Sequence, residues 1–224
     1  MSFYGKMPCL GDYLADDADD AFTDPWHAWV LEGLGELETV LREQWREQFL
    51  TAPIWRFGLS PGVFGDRAVI GAVAPSVDMV GRAYPLVLYT ELKGERPLLE
   101  LFSSHEKWFE ESEDILLAAL GDDIDTKVVR QRAATHCAAL PECRLQSRSA
   151  EKTEGILLVT SCASEGGLGG LLVPLVALPL SYSVWWSAYG HNVEISPGEV
   201  ERRSALLVTD GPPTPALWRS LVGA

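Results

Sequence analysis

Between Asp24 and Leu50 the residues Trp26, Val30, Leu34, Leu37, Leu41, Trp45 and Phe49 recur at spacings of three or four, the apolar stripe of one long amphipathic helix. Asp24 is placed to cap that helix and Pro25 to take its first position. Such a stripe must be buried against another layer, and the chain that follows reads as a sheet. Trp55-Arg56-Phe57-Gly58-Leu59, Val69-Ile70-Gly71-Ala72-Val73 and Leu86-Val87-Leu88-Tyr89 are strand-like runs, separated by Ser60-Pro61-Gly62 and by the stretch from Pro75 to Pro85. Their succession predicts neighbouring strands in a meander.

Helical patterns follow, one from Pro97 to Leu120 with Leu98, Phe102, Phe109 and Leu116 on one face, another from about Asp125 to Leu140 through Val128, Val129 and Cys137. Gly155 to Thr160 is continuously apolar and reads as a buried strand. Leu171 to Leu178 fits a short helix or a strand, with Pro174 arguing against a long helix. Ser183 to Ser187 and Ala205 to Thr209 are further strands, and Thr214 with Pro215 opens a final helix. The expected fold class is α/β, a single-domain three-layer sandwich over residues 1–224, with a central mixed or antiparallel sheet flanked by helices.

The chain has 224 residues and a formal net charge of −14. That charge argues against nucleic acid and acidic membrane surfaces as partners, since both bind through clustered Lys and Arg. Proteins or small molecules fit better. The most apolar run, Leu168 to Leu180, is broken by Gly169, Gly170, Pro174 and Pro179 and is too short to span a bilayer. No apolar signal segment opens the chain. Cys9, Cys137, Cys143 and Cys162 form no C-x-x-C, and His27, His105, His136 and His191 are scattered. A reduced cytoplasmic protein is expected, its thiols small apolar residues, with no metal and no cofactor.

Signs of catalysis are weak. A dinucleotide fingerprint starting at Gly167 would need Gly or Ala where Leu172 stands, and neither a phosphate-binding G-x-x-x-x-G-K-[ST] loop nor an H-E-x-x-H helix is present. Asp16, Asp17, Asp19 and Asp20 lack the Gly and terminal Glu of an EF-hand loop and read as a mobile, solvated acidic loop. The expectation is a protein that is not an enzyme.

More specific is a polar group around the strands. Alternation sends Arg56 to the face opposite Trp55 and Phe57. The proline-bounded loop places Ser76, Asp78 and Arg82 together, with Asp78 able to reach Arg56 or Arg82 as a carboxylate–guanidinium pair. One reading is a charged pocket at the strand ends that takes a small or phosphate-bearing ligand, as a binding protein or an enzyme would. The other is an internal lock that shapes the loop. Free guanidiniums would mark the first, guanidiniums consumed by internal carboxylates the second. Trp185-Trp186 reads as one core and one rim aromatic.

At these residues the chain resembles the TagF family, also called ImpM, of type VI secretion system-associated proteins. The resemblance is carried by Gly5-Lys6-Met7-Pro8 with Gly11-Asp12-Tyr13, by Asp24-Pro25-Trp26 with Trp29, and by Ser183-Val184-Trp185-Trp186. Its most specific block runs through Ala52 to Phe57, Pro61-Gly62, Gly65, Pro75 to Asp78, Val80 to Arg82 and Pro85-Leu86. His27 stands where the family usually has an acidic residue and Met79 where it often has a basic one. The resemblance implies a cytoplasmic α/β sandwich that holds type VI secretion in check after translation, in some members by engaging the system's forkhead-associated scaffold protein. It marks Trp55, Arg56, Ser76, Asp78, Arg82 and Trp185, with Lys6 and Asp12, as the partner-binding or structural polar site, grouped around one sheet end.

Overall fold

The computed structural model describes residues 1–16, 18–93, 98, 101, 105–121, 124–138, 157–161, 181–187, 192–196, 199–202 and 204–223. Its centre is an eight-stranded sheet. The strands are β1 (Ser2–Gly5), β2 (Leu14–Asp16), β3 (Trp55–Leu59), β4 (Val69–Ala74), β5 (Leu86–Glu91), β6 (Leu157–Ser161), β7 (Tyr182–Ser187) and β10 (Ser204–Asp210). Their order is β2-β1-β5-β4-β3-β7-β10-β6, and every pairing is antiparallel. The meander is there as β3-β4-β5. A separate hairpin pairs β8 (Asn192–Ser196) with β9 (Glu199–Arg202).

Alternation along the strands splits the core between the two faces. Trp55, Phe57, Leu59, Tyr89, Trp185 and Leu207 face the helix α1 (Asp20–Leu41) and the short α5 (Trp218–Val222). Ile70, Val184, Trp186 and Leu206 share the other face with Trp108 and Phe109 of α3 (Glu106–Ala119), and Ala72, Ala74 and Leu88 meet Leu116 of α3 and Val129 of α4 (Thr126–Ala138). Helix, sheet, helix: the three-layer α/β sandwich is the fold, its sheet antiparallel.

The long helix begins earlier than its stripe implies. Asp19, not Asp24, is the cap: its Oδ1 accepts from the Ala21 amide at 3.0 Å, so two members of the acidic run belong to a helix start rather than to a loop. Phe22 is buried one turn before Trp26 and extends the apolar stripe, and that burial carries Pro25 inside the helix. Nor does the helix run unbroken to Leu50. Arg42 takes a positive φ of 51°, a 3-10 turn spans Arg42–Gln44, and α2 (Trp45–Leu50) follows. The last helix begins as a 3-10 turn at Pro215, and Thr214 makes no side-chain cap bond. Phe102 and the segment 171–178 lie outside the described residues.

Candidate functional site

The loop between β4 and β5 is built around one buried carboxylate. Asp78 Oδ1 accepts from the amides of Val80 at 3.1 Å and Arg82 at 2.8 Å, the bonding of an Asx turn that tightens a loop tip. Its Oδ2 takes Arg82 Nε at 2.6 Å and stands 3.1 Å from Lys6 Nζ. Burial pushes the Asp78 carboxyl up, but the Arg82 amide and guanidinium and the Lys6 ammonium outweigh it and hold it well below the usual carboxylate range. Ser76 Oγ donates to the Lys6 carbonyl at 2.7 Å, Arg82 Nη2 to the Gly11 carbonyl at 2.9 Å and Arg46 Nη2 to the Gly81 carbonyl at 2.6 Å. Gly81, at φ 84°, is in the left-handed region that the turn requires.

Beside this lock stands an aromatic group. His27 Nδ1 lies 3.1 Å from the Tyr4 hydroxyl and 3.0 Å from the Tyr84 hydroxyl, Tyr13 packs edge-on to Tyr84 with centroids 4.9 Å apart, and Lys6 Nζ sits 5.2 Å over the Tyr13 ring. Burial raises the phenols of Tyr4, Tyr13 and, most strongly, Tyr84 above their ordinary value, so they act as neutral hydrogen-bonding groups. Asp12 is exposed and its Oδ1 accepts from the Tyr13 amide at 2.8 Å.

Arg56 is elsewhere. It projects from β3 to the α3 side, where Nε and Nη2 donate to the two carboxylate oxygens of Glu113 at 2.7 and 2.8 Å, and its guanidinium carbon lies 4.2 Å from the Trp186 ring centre, a cation–π contact. The expected grouping around one sheet end therefore separates. Lys6, Ser76, Asp78 and Arg82 meet at the loop, with Asp12 on its rim. Arg56 pairs with Glu113 on the opposite side of the sheet from Trp55 and Trp185. Trp55 Nε1 donates to the Leu221 carbonyl at 2.7 Å, and Trp185 Nε1 donates to Ser183 Oγ at 2.8 Å. Trp185 and Trp186 are 0% and 8% exposed, so neither is a rim aromatic: the sheet has helices on both faces. Both guanidiniums are engaged by internal carboxylates, the outcome that marks a lock rather than an open pocket.

Glu113 left a signal in the sequence: it lies on the buried stripe of α3 with Phe109 and Leu116, an acid among apolar residues facing a strand with an inward Arg. Gly58-Leu59-Ser60-Pro61-Gly62 spells the G-x-S-x-G of a nucleophile elbow. The structure gives it no such geometry. The turn leads from strand to strand, and Ser60 is buried with its Oγ accepting from the Tyr182 amide at 2.7 Å. Ser112 Oγ stands 2.9 Å from His136 Nε2, with Glu111 3.5 Å from Nδ1, an order that mimics a Ser-His-acid triad. Ser112, however, is 0% exposed and donates its hydroxyl proton to the Trp108 carbonyl rather than to the imidazole. Burial lowers the His136 imidazole, against the opposing pull of Glu111. Cys9 and Cys137 are free thiols. Among the described residues no cluster of His, Cys, Asp or Glu is arranged to hold a metal ion, and no helix is long and apolar enough to cross a membrane.

Comparison with known proteins places these features in a family. Residues 2–136 match the family model described as the TagF N-terminal domain, type VI secretion system-associated. The chain is 29% identical to PA0076 from Pseudomonas aeruginosa PAO1, whose crystal structure superposes with a TM-score of 0.71 over 100% of this chain and 94% of that one. No curated protein matches the chain.

Proposed function

Because this chain belongs to the TagF family of type VI secretion system-associated proteins, we propose that it is a non-enzymatic, cytoplasmic regulator that represses type VI secretion after translation by binding a component of the machine. The partner we propose is the system's forkhead-associated scaffold protein. The observation that carries this reading is the family match over residues 2–136. The engagement of Arg82 by Asp78 and of the buried Arg56 by Glu113 supports it against a charged ligand pocket, since each guanidinium already holds an internal carboxylate. The free energy of binding then comes from a protein interface, where Trp, Tyr and Arg anchors supply most of it.

The test is secretion itself. Raising the level of the full chain in a bacterium that carries its secretion genes is expected to cut effector release without changing the abundance of the machine's subunits. Undiminished release at high chain levels would refute repression. Release and subunit levels falling together would place the effect on synthesis instead.

A further inference from the structure

Helices α3 and α4 leave an open groove of about 370 Å³ between them, lined by Glu111, Val128, Gln131, Arg132, Thr135 and His136. Of these only His136 is buried, at 4% exposed. Its Nε2 lies 2.9 Å from the Trp108 carbonyl and 2.9 Å from Ser112 Oγ. A carbonyl has only lone pairs to offer, and Ser112 gives its own proton to that same oxygen, so Nε2 carries the ring proton. Burial, together with the Met1 α-amino group and Arg132, lowers the imidazole against the pull of Glu111 and the Trp108 carbonyl, which leaves the ring neutral at physiological pH and Nδ1 a bare lone pair. What faces Nδ1 is Glu111 Oε2 at 3.5 Å, a second acceptor. Thr135 Oγ1, which already donates to the Gln131 carbonyl at 3.0 Å, is a third. A buried acceptor with no donor costs free energy, and three acceptors on one groove are what the three N–H bonds of an ammonium satisfy. In the same groove Arg132 is an exposed guanidinium that makes no ion pair among the described residues. The other exposed charges of the two helices, Glu106, Lys107, Glu110 and Asp114 on α3 and Lys127 and Arg130 on α4, do not line it, and Arg130 is paired with Asp16. The lining thus carries one carboxylate and one guanidinium and is neutral as a whole.

We propose that this groove binds a small zwitterion of the α-amino acid class, its ammonium held by His136 Nδ1, Glu111 and Thr135 and its carboxylate by Arg132. Charge decides against simpler ligands: a bare amine meets the Arg132 cation and a bare carboxylate the Glu111 anion, whereas a zwitterion matches both ends. The exposed Val128 offers an apolar wall to a short aliphatic side chain. Because Glu111 belongs to α3 and Arg132 and His136 to α4, a ligand held this way ties the two helices together. The site is independent of the protein partner proposed above.

The test follows the ring nitrogens of His136 by nitrogen NMR at neutral pH while the full chain is titrated with L-alanine, and separately with ethylamine and propionate as its two halves. The free protein is expected to show a neutral ring protonated at Nε2, and L-alanine to shift Nδ1 saturably with a Kd of about 1 mM, the range a molecule this small reaches in an open groove. Each half is expected to bind about tenfold more weakly than the whole. Glu111→Gln and, separately, Arg132→Gln, both at exposed positions, are each expected to weaken L-alanine about tenfold, and Arg132→Gln to leave ethylamine binding no weaker than before. A doubly protonated ring in the free protein, no saturation at about 50 mM L-alanine, halves that bind as well as the whole, or an affinity indifferent to both substitutions would overturn the proposal.

Discussion

Glu113 neutralises Arg56 between sheet and helix, where neither side chain meets much water, and removing it strands a buried guanidinium. Breaking one side of such a pair costs about 3–5 kcal/mol, whereas replacing both partners with apolar residues of similar size is close to neutral. Glu113→Ala is therefore expected to lower the urea-unfolding free energy by about that amount, with Arg56→Met plus Glu113→Leu recovering most of it. Arg56→Ala consequently reports on folding before it reports on any partner. Asp78 obeys a different rule. Its folded pKa lies below its unfolded value of about 3.9, so its stabilisation is complete above that pH and is lost as pH falls toward the folded value. Between pH 6 and pH 3 the urea midpoint is expected to fall more steeply for the natural protein than for Asp78→Asn. At neutral pH the same variant is expected to exchange its Val80 and Arg82 amides faster, because the side chain that accepts from them loses its charge.

At the scale of the elements, Gly33 decides how α1 meets α5. A Cβ there would stand inside the Trp218 indole, so the helix carries its least favourable ordinary residue in order to seat a Trp. Gly33→Ala gains about 1 kcal/mol of helix propensity but overpacks the contact at a cost of about 1–3 kcal/mol. Calorimetric melting is expected to show a net loss, partly repaired by adding Trp218→Leu. Periodicity made most elements legible: β3, β4, β5, β7 and β10 lie where their apolar runs stand, because a strand buried on both faces leaves a continuous signature. Boundaries were less so. The start of α1 turned on Phe22 and the Asp19 cap, and its end on a single positive φ at Arg42 that no stripe records. The β8–β9 hairpin, the short edge strand β2 and its neighbour β1 carry too few apolar residues to stand out. Pairing was the least legible feature, since Asp78 and Arg82 are neighbours in sequence whereas Arg56 and Glu113 are brought together only by the packing of α3 on the sheet.

For the molecule as a whole, one antiparallel sheet draws strands from both halves of the chain, and the family-matched segment supplies one edge of it. The blocks Gly5 to Pro8 and Pro75 to Pro85 meet at the lock because β1 pairs with β5 there, which gives sequence-distant blocks one purpose: a fixed loop on the surface. The polar groups of the lock are spent on holding the shape of that loop. The direct measurement is a calorimetric titration of the full chain with the forkhead-associated scaffold protein of its own secretion system at physiological salt, with an unrelated acidic protein as control. We expect saturable heat with a Kd of about 1 μM or tighter, about −8 kcal/mol, and none with the control. No heat with the scaffold at concentrations up to about a hundred times that Kd would contradict binding to it as the means of repression.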